Sequence, residues 1–297
     1  MKNDFHVFSR LFAKPIAEQL FKTIFSARLG LALCVALFTT SAAFARTIDL
    51  STEPPSAGDT VLVKNGDVLT GTLDGSERPY KVVVASGASV TLNNAAINGI
   101  TTNENYTWPG ISCLGNCDIL LAEGSKNYVH GFNKAPGIFV PQKATLTIDG
   151  DGELEAVGDW SGAGIGGGMI GDLRESGSIV INGGTITATG DYGAGIGCGP
   201  AGSSEASCED IVINGGNITA KSLHYGAGIG GGYGSSCGNI AITGGTIEAF
   251  CGYVGAGIGA GNSGKVGNIL ITGGTVSATG ANYAVGIGAA SGGSCVY

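Results

Sequence analysis

Four segments of this chain are near-copies of one another, and that repetition restricts the fold more than any other property of the sequence. They are Ile179-Val-Ile-Asn-Gly-Gly-Thr-Ile-Thr-Ala188, Ile211-Val-Ile-Asn-Gly-Gly-Asn-Ile-Thr-Ala220, Ile240-Ala-Ile-Thr-Gly-Gly-Thr-Ile-Glu-Ala249 and Ile269-Leu-Ile-Thr-Gly-Gly-Thr-Val-Ser-Ala278. Weaker copies precede them at Leu146-Thr-Ile148, Ile119-Leu-Leu121 and Val90-Thr-Leu92. Aligned on the last apolar residue, the copies place equivalent positions at Leu92, Leu121, Ile148, Ile181, Ile213, Ile242 and Ile271, with steps of 29, 27, 33, 32, 29 and 29 residues. A Gly-Ile pair keeps the same beat, with Ile111, Ile138, Ile165, Ile196, Ile229, Ile258 and Ile287. Seven copies of each motif predict seven rungs.

Inside one unit, Ile179/Ile181 and Ile186/Ala188 alternate with polar or small residues, and this period of two is a strand signal. No stretch after residue 45 has the three-and-four spacing of an amphipathic helix. A unit of this length cannot bury an apolar face alone, so copies must stack. The expected fold is therefore all-β: a single-stranded right-handed parallel β-helix of about seven rungs, with Ile181, Ile213, Ile242 and Ile271 in one interior column. The Gly-Gly pairs mark corners, where a residue without a Cβ takes up positive φ at no steric cost. The run Gly162-Ala-Gly164-Ile-Gly-Gly-Gly168 is accordingly read as architecture and not as a dinucleotide fingerprint, since it recurs at Gly193, Gly226 and Gly255 with no helix to follow. A β-sandwich or propeller uses similar short strands and turns, but near-identity between neighbours favours the solenoid.

The ends of the chain differ from this body. Residues 1–45 hold Lys2, Arg10, Lys14, Lys22 and Arg28, then the apolar run Leu29 to Phe38, then Ala43-Phe44-Ala45. That is the pattern of a cleavable signal peptide, and the apolar run is shorter than the roughly 20 residues a bilayer-spanning helix needs. The expectation is a secreted or cell-surface protein with no membrane span in the mature chain. Three divisions follow: a signal peptide at 1–45, an N-terminal capping coil at 46–89 and a β-helix repeat domain at 90–297. Removing five basic and two acidic groups with residues 1–45 leaves 10 Lys/Arg against 21 Asp/Glu, a formal charge of −11. Such a body is a poor partner for nucleic acid.

Seven of the eight cysteines follow residue 45, as expected in an oxidising compartment. Cys113 and Cys117 are near neighbours, and Cys198 and Cys208 bracket a Gly/Ser-rich insertion, so these are the expected disulfides. Cys237, Cys251 and Cys295 remain an odd number whose pairing cannot be read from spacing. They lack the close-spaced thiol pairs and histidine partners of a structural zinc site.

Chemistry is sought on the outer surface. Trp108, Trp160, Tyr192, Tyr225, Tyr253 and Tyr283 precede the Gly-Ile isoleucines by three to five residues, so stacking places each ring near the next; in the remaining rung Phe132 is farther off. A ladder of flat rings suits the C–H face of a sugar chain, and rings that merely brace a corner would produce the same spacing. Asp159, Asp191, His224 and Asn282 stand immediately before four of these rings and offer hydrogen bonds to hydroxyls. Thr185, Asn217, Thr246 and Thr275 form a second polar column whose irregularity argues against ice binding. Asp149, Asp151 and Glu153, with Glu155, are the densest acids and the weak metal candidates, calcium being the ion they would take, although a solvated turn explains them without one. His130 and His224 have no Ser/His/Asp grouping around them, so no catalytic residue is assigned.

The string Gly-Gly-Thr-Ile-x-Ala-x-Gly followed by Tyr-Gly-Ala-Gly-Ile-Gly resembles repeats of secreted bacterial surface proteins. Over about Leu50 to Tyr297 the chain is similar to the carbohydrate-binding β-helix family, whose fold is like that of polysaccharide lyases. The resemblance implies non-catalytic binding of polysaccharide of plant cell-wall type, with calcium assistance in some members, and transfers no individual ligand residue to this sequence. Three functions follow from the sequence in order: a polysaccharide-binding surface along the aromatic ladder; a structural or adhesive surface protein making end-to-end or cell-surface protein contacts; and a polysaccharide lyase.

Overall fold

The computed structural model describes residues 45–295 apart from 53–55, 101 and 203–204. The segment read as a signal peptide lies almost wholly outside the described residues. The described body is a stack of parallel coils. Each of the later coils runs through a first strand, a Gly-Gly corner, a second strand, a loop carrying the aromatic residue, a two-residue Gly-Ile strand and a last short strand. In one coil these strands are Ser178–Ile181, Thr185–Gly190, Ile196–Gly197 and Ser207–Cys208. One short 3-10 turn, Gly171–Arg174, is the only helical element among the described residues.

The strands assemble into three sheets of 15, 9 and 5 members. First and second strands share the 15-stranded sheet because the long strand Ala88–Asn98 pairs with both Cys117–Leu121 and Lys126–His130. The nine-stranded sheet holds the seven Gly-Ile strands and two more from the N-terminal segment, Thr60–Val63 and Lys81–Val84. Residues 46–89 thus extend the same stack by two coils. A single ladder runs from Val61 through Val82, Ile111, Ile138, Ile165, Ile196, Ile229 and Ile258 to Ile287, buried as far as Ile258 and exposed at Ile287.

The core follows from the alternation. Ile148, Ile181, Ile213, Ile242 and Ile271 are in register on successive first strands. Leu154, Ile186, Ile218, Ile247 and Val276 do the same on the second strands. Ala156, Ala188, Ala220, Ala249 and Ala278 make the narrow third column. From Ile148 to Ile242, and in the second-strand columns up to Ile247 and Ala249, these side chains are buried.

The weak N-terminal copies align differently from the sequence expectation. Ile148 pairs with Ile119, and Ile119 with Val90, whereas Leu121 pairs with Leu92 and Gly150. The column therefore descends through positions 119 and 90 and not through 121 and 92. A slip of two residues keeps every side chain on its own face, so alternation alone cannot distinguish the two registers.

Two glycine positions are required by the coil. The second glycine of each corner, Gly184, Gly216, Gly245 and Gly274, has φ between +85 and +90°. The glycine after each Gly-Ile isoleucine, from Gly166 to Gly259, faces the backbone of the next coil, where a Cβ at Gly197 would collide with the carbonyl oxygen of Gly230. The repeat is glycine-rich because coils approach backbone to backbone at this edge.

Candidate functional site

Each aromatic sits in the loop between a second strand and its Gly-Ile strand, so it inherits the coil spacing. Four rings form a continuous column. Trp160 meets Tyr192 edge-on, with centroids 6.3 Å apart and planes at 79°. Tyr192 and Tyr225 are tilted by 36° at 5.3 Å, and Tyr225 meets Tyr253 at 5.3 Å and 88°. Tyr233 packs edge-on against Tyr225 at 5.5 Å from the next loop; because it follows the Gly-Ile strand, the spacing that picks out the other rings does not reach it. Tyr192 and Tyr225 are half-buried, while Trp160 and Tyr253 at the two ends are 54% and 47% exposed. Trp160 also has φ +26°, a conformation a bulky residue adopts only when its surroundings impose it.

The other two predicted rings lie outside this column. Trp108 packs on Tyr106 and Phe132, both at 5.1 Å, with the Lys81 ammonium 5.1 Å above its ring. It is half-buried against the core, and its indole Nε1 is buried without a hydrogen-bond partner. Phe132, whose distance from the Gly-Ile motif set it apart in the sequence, is fully buried. Tyr283 is 95% exposed, with φ +63°.

The polar residues beside the rings divide by role. Asp159 accepts a hydrogen bond from the Lys134 backbone N–H at 2.8 Å, and Lys134 extends its ammonium over Trp160 at 5.6 Å. Burial raises the Asp159 carboxyl above the ordinary carboxylate range, against the pull of that N–H. Asp191 holds His224 through Nδ1, and the imidazole stacks on Tyr192 with centroids 5.3 Å apart. Asn282 is exposed next to Tyr283. Asp159, Asp191 and His224 therefore order the ring column, and their remaining polar atoms line its border.

The acids 149, 151 and 153 do not converge. Asp149 accepts from the Gly150 N–H at 2.7 Å, Asp151 is exposed, and Glu153 pairs with Lys126 at 3.1 Å. Among the described residues the single close grouping of three His, Cys, Asp or Glu side chains is Cys198, Cys208 and Cys237, two of which are joined in a disulfide. Thr185, Asn217, Thr246 and Thr275 do face outward in register, continued by Glu153 and Lys126. Both expected disulfides are present: Cys113–Cys117 with Cα atoms 6.4 Å apart and Cys198–Cys208 at 5.1 Å; Cys237, Cys251 and Cys295 are free.

Two shallow grooves of about 260 and 290 Å³ lie on the sheet faces, lined by residues such as Lys126, Tyr128 and Glu155, or Asp118, Leu120 and Thr147. They fall short of the enclosed, mostly apolar pocket that a small ligand requires. Among the described residues no helix is long and apolar enough to cross a membrane.

The β-helix repeat family model matches residues 146–169, 179–200, 211–233, 240–262 and 269–295. Each match begins on a first strand; the first four end just beyond the Gly-Ile strand and the fifth runs on to the last short strand Ser294–Cys295, so the family repeat falls on the coil described above. No curated protein and no solved structure matches the chain.

Proposed function

From the premise that the chain is built of β-helix repeats, we propose that it binds polysaccharide outside the cell without turning it over, along the column Trp160–Tyr192–Tyr225–Tyr253. The observation that carries this reading is the column itself: four rings at coil spacing on one edge of the stack, with the outer two half exposed. Exposed Trp and Tyr rings offer an apolar surface with a polar edge, which matches a sugar ring's C–H face and hydroxyl rim. The edge-on packing at both ends gives Tyr192 and Tyr225 a bracing role, so contact with the glycan falls mainly to Trp160 and Tyr253.

Charge narrows the ligand. Asp159 and Asp191 border the column, Lys134 is the one cation described over its rings, and residues 46–297 carry an excess of acidic groups. An anionic uronate chain would be repelled along this edge. A neutral glycan of plant cell-wall type fits it, with no calcium needed to bridge like charges.

Pull-downs on insoluble cellulose and on pectin test the reading, using the wild-type chain and the variants Trp160→Ala, Tyr225→Ala and Tyr253→Ala. Retention on cellulose, reduced at least fivefold in Trp160→Ala and Tyr253→Ala while the circular dichroism stays unchanged, supports it. Retention that survives both substitutions removes the column as the binding surface and favours the adhesive alternative. Release of unsaturated uronides from pectin would show a lyase.

A further inference from the structure

The disulfide Cys198–Cys208 has a third sulfur beside it. Ser207–Cys208 and Ser236–Cys237 are adjacent parallel strands with Cys208 opposite Cys237. The Sγ atoms of Cys198, Cys208 and Cys237 all lie within 4.8 Å of one another, and all three residues are buried. Neighbouring strands stand about 4.8 Å apart, within the Cα separation of about 4.4–6.8 Å that a disulfide accepts. Cys208 is therefore bonded to Cys198, on its own coil, and has a second sulfur, Cys237 on the next coil, within reach across a strand spacing that a disulfide accepts.

The surroundings favour neutral sulfur over a bound ion. Carbonyl oxygens of Ser236, Gly230 and Glu209 lie 3.3, 3.9 and 4.0 Å from the sulfurs of Cys198, Cys208 and Cys237. Burial, with Asp210 nearby, pushes the Cys237 thiol up to about 12. Three thiolates around a soft metal would hold negative charge against these carbonyls at high desolvation cost. A disulfide with one thiol holds none.

We propose that these three cysteines form an exchangeable unit in which Cys208 is bonded either to Cys198, stapling one coil, or to Cys237, stapling two coils together. The Cys237 thiol gives its proton to solvent base and the thiolate attacks Sγ of Cys208. The Cys208–Cys237 bond forms as the Cys198–Cys208 bond breaks, and Cys198 leaves as a thiolate that takes up a proton. One thiol and one disulfide stand on each side of the exchange, so it is redox-neutral and consumes no external oxidant or reductant. The reluctance of Cys237 to ionise makes the exchange slow at neutral pH and faster in alkali.

The test maps disulfides in the full-length chain by alkylation in denaturant, digestion and mass spectrometry without reduction. In Cys198→Ser, oxidised in a glutathione redox buffer and still folded by circular dichroism, the expected result is a Cys208–Cys237 linked peptide in most chains. Free thiols at both Cys208 and Cys237 in that folded variant would overturn the proposal. Should Cys198→Ser not fold, the wild type equilibrated at pH 9 decides. Alkylated Cys198 appearing beside alkylated Cys237 supports exchange; Cys237 as the sole alkylated member of the three overturns it.

Discussion

Two aromatic groups arise from the same place in the repeat, the loop before the Gly-Ile strand, and they serve opposite ends. Tyr106 and Trp108 turn inward, closing over Phe132 and the core under Lys81. Trp160, Tyr192, Tyr225 and Tyr253 stay at the surface and touch mainly one another and His224. The difference lies in what the neighbouring coil supplies. In the N-terminal coils Phe132 reaches the interior and draws Trp108 after it. In the later coils small Gly-Ala sequences fill the space under the loop, Ala163, Ala194, Ala227 and Ala256 are buried there, and the ring is left outside. Sequence position assigns a ring to a column; the residue beneath it assigns the ring to core or surface.

The N-terminal coils also close their corners differently. The position held by Leu154, Ile186 and Ile218 is Asn127 one coil earlier, buried inside the stack. Its side chain accepts from the Ala95 N–H at 3.0 Å and donates to Ser125 Oγ at 2.9 Å and to the Glu153 carbonyl at 3.0 Å. It supplies hydrogen bonds where no Gly-Gly corner exists. Asp67, buried in the same region, accepts from the Lys64 N–H at 2.8 Å and from Arg46 Nε at 3.1 Å. The N-terminal coils thus depend on specific polar anchors, while the later ones depend on apolar ladders and glycine corners.

If the two ring groups differ as described, Trp108→Ala costs about 3 kcal/mol of unfolding free energy, the lower end for truncating a core aromatic, and leaves cellulose retention unchanged. Chemical denaturation reads the first and the pull-down the second. Asn127→Ala leaves its buried partners unsatisfied and is expected to cost about 2 kcal/mol. Its effect should concentrate in amide exchange of residues 88–130, with the coils from Ile179 onward remaining protected. Acid provides a third contrast. Burial alone would raise the Asp67 carboxyl, but the Lys64 N–H and Arg46 outweigh it and hold the group below its usual value. Its contribution is present above the unfolded-state value and is lost as pH falls through the lower folded-state value. The melting temperature of the wild type should then fall more steeply below about pH 4 than that of Asp67→Asn. The smallest effect is expected at Tyr253, where Tyr253→Ala changes stability by less than about 0.5 kcal/mol.

The architecture was largely legible because Ile-x-Ile, Gly-Gly and Gly-Ile recur at fixed spacing, and each motif has one role in the coil. What escaped the sequence has physical reasons. The register of Ile119 and Val90 was ambiguous because a two-residue slip conserves alternation. The inward placement of Asn127 is not legible in the sequence, since nothing there announces that its amide will be satisfied inside. The pairings Cys113–Cys117 and Cys198–Cys208 were readable from proximity in the chain, yet the approach of Cys237 to the second pair depends on strand register in the small five-stranded sheet. Trp108 shared the spacing of the ladder but not its exposure, and exposure is set by packing from other coils.

The chain has two tryptophans: Trp108 packs against the core, and Trp160 stands on the proposed glycan surface. Trp108→Phe removes the first ring together with its unpaired N–H and leaves Trp160 as the sole reporter. Titrating this variant with a soluble neutral β-glucan should shift and change the Trp160 emission to saturation, whereas polygalacturonate at equal mass should leave it unmoved. An emission that ignores the neutral glucan while the protein remains folded would contradict the ring column as a binding surface.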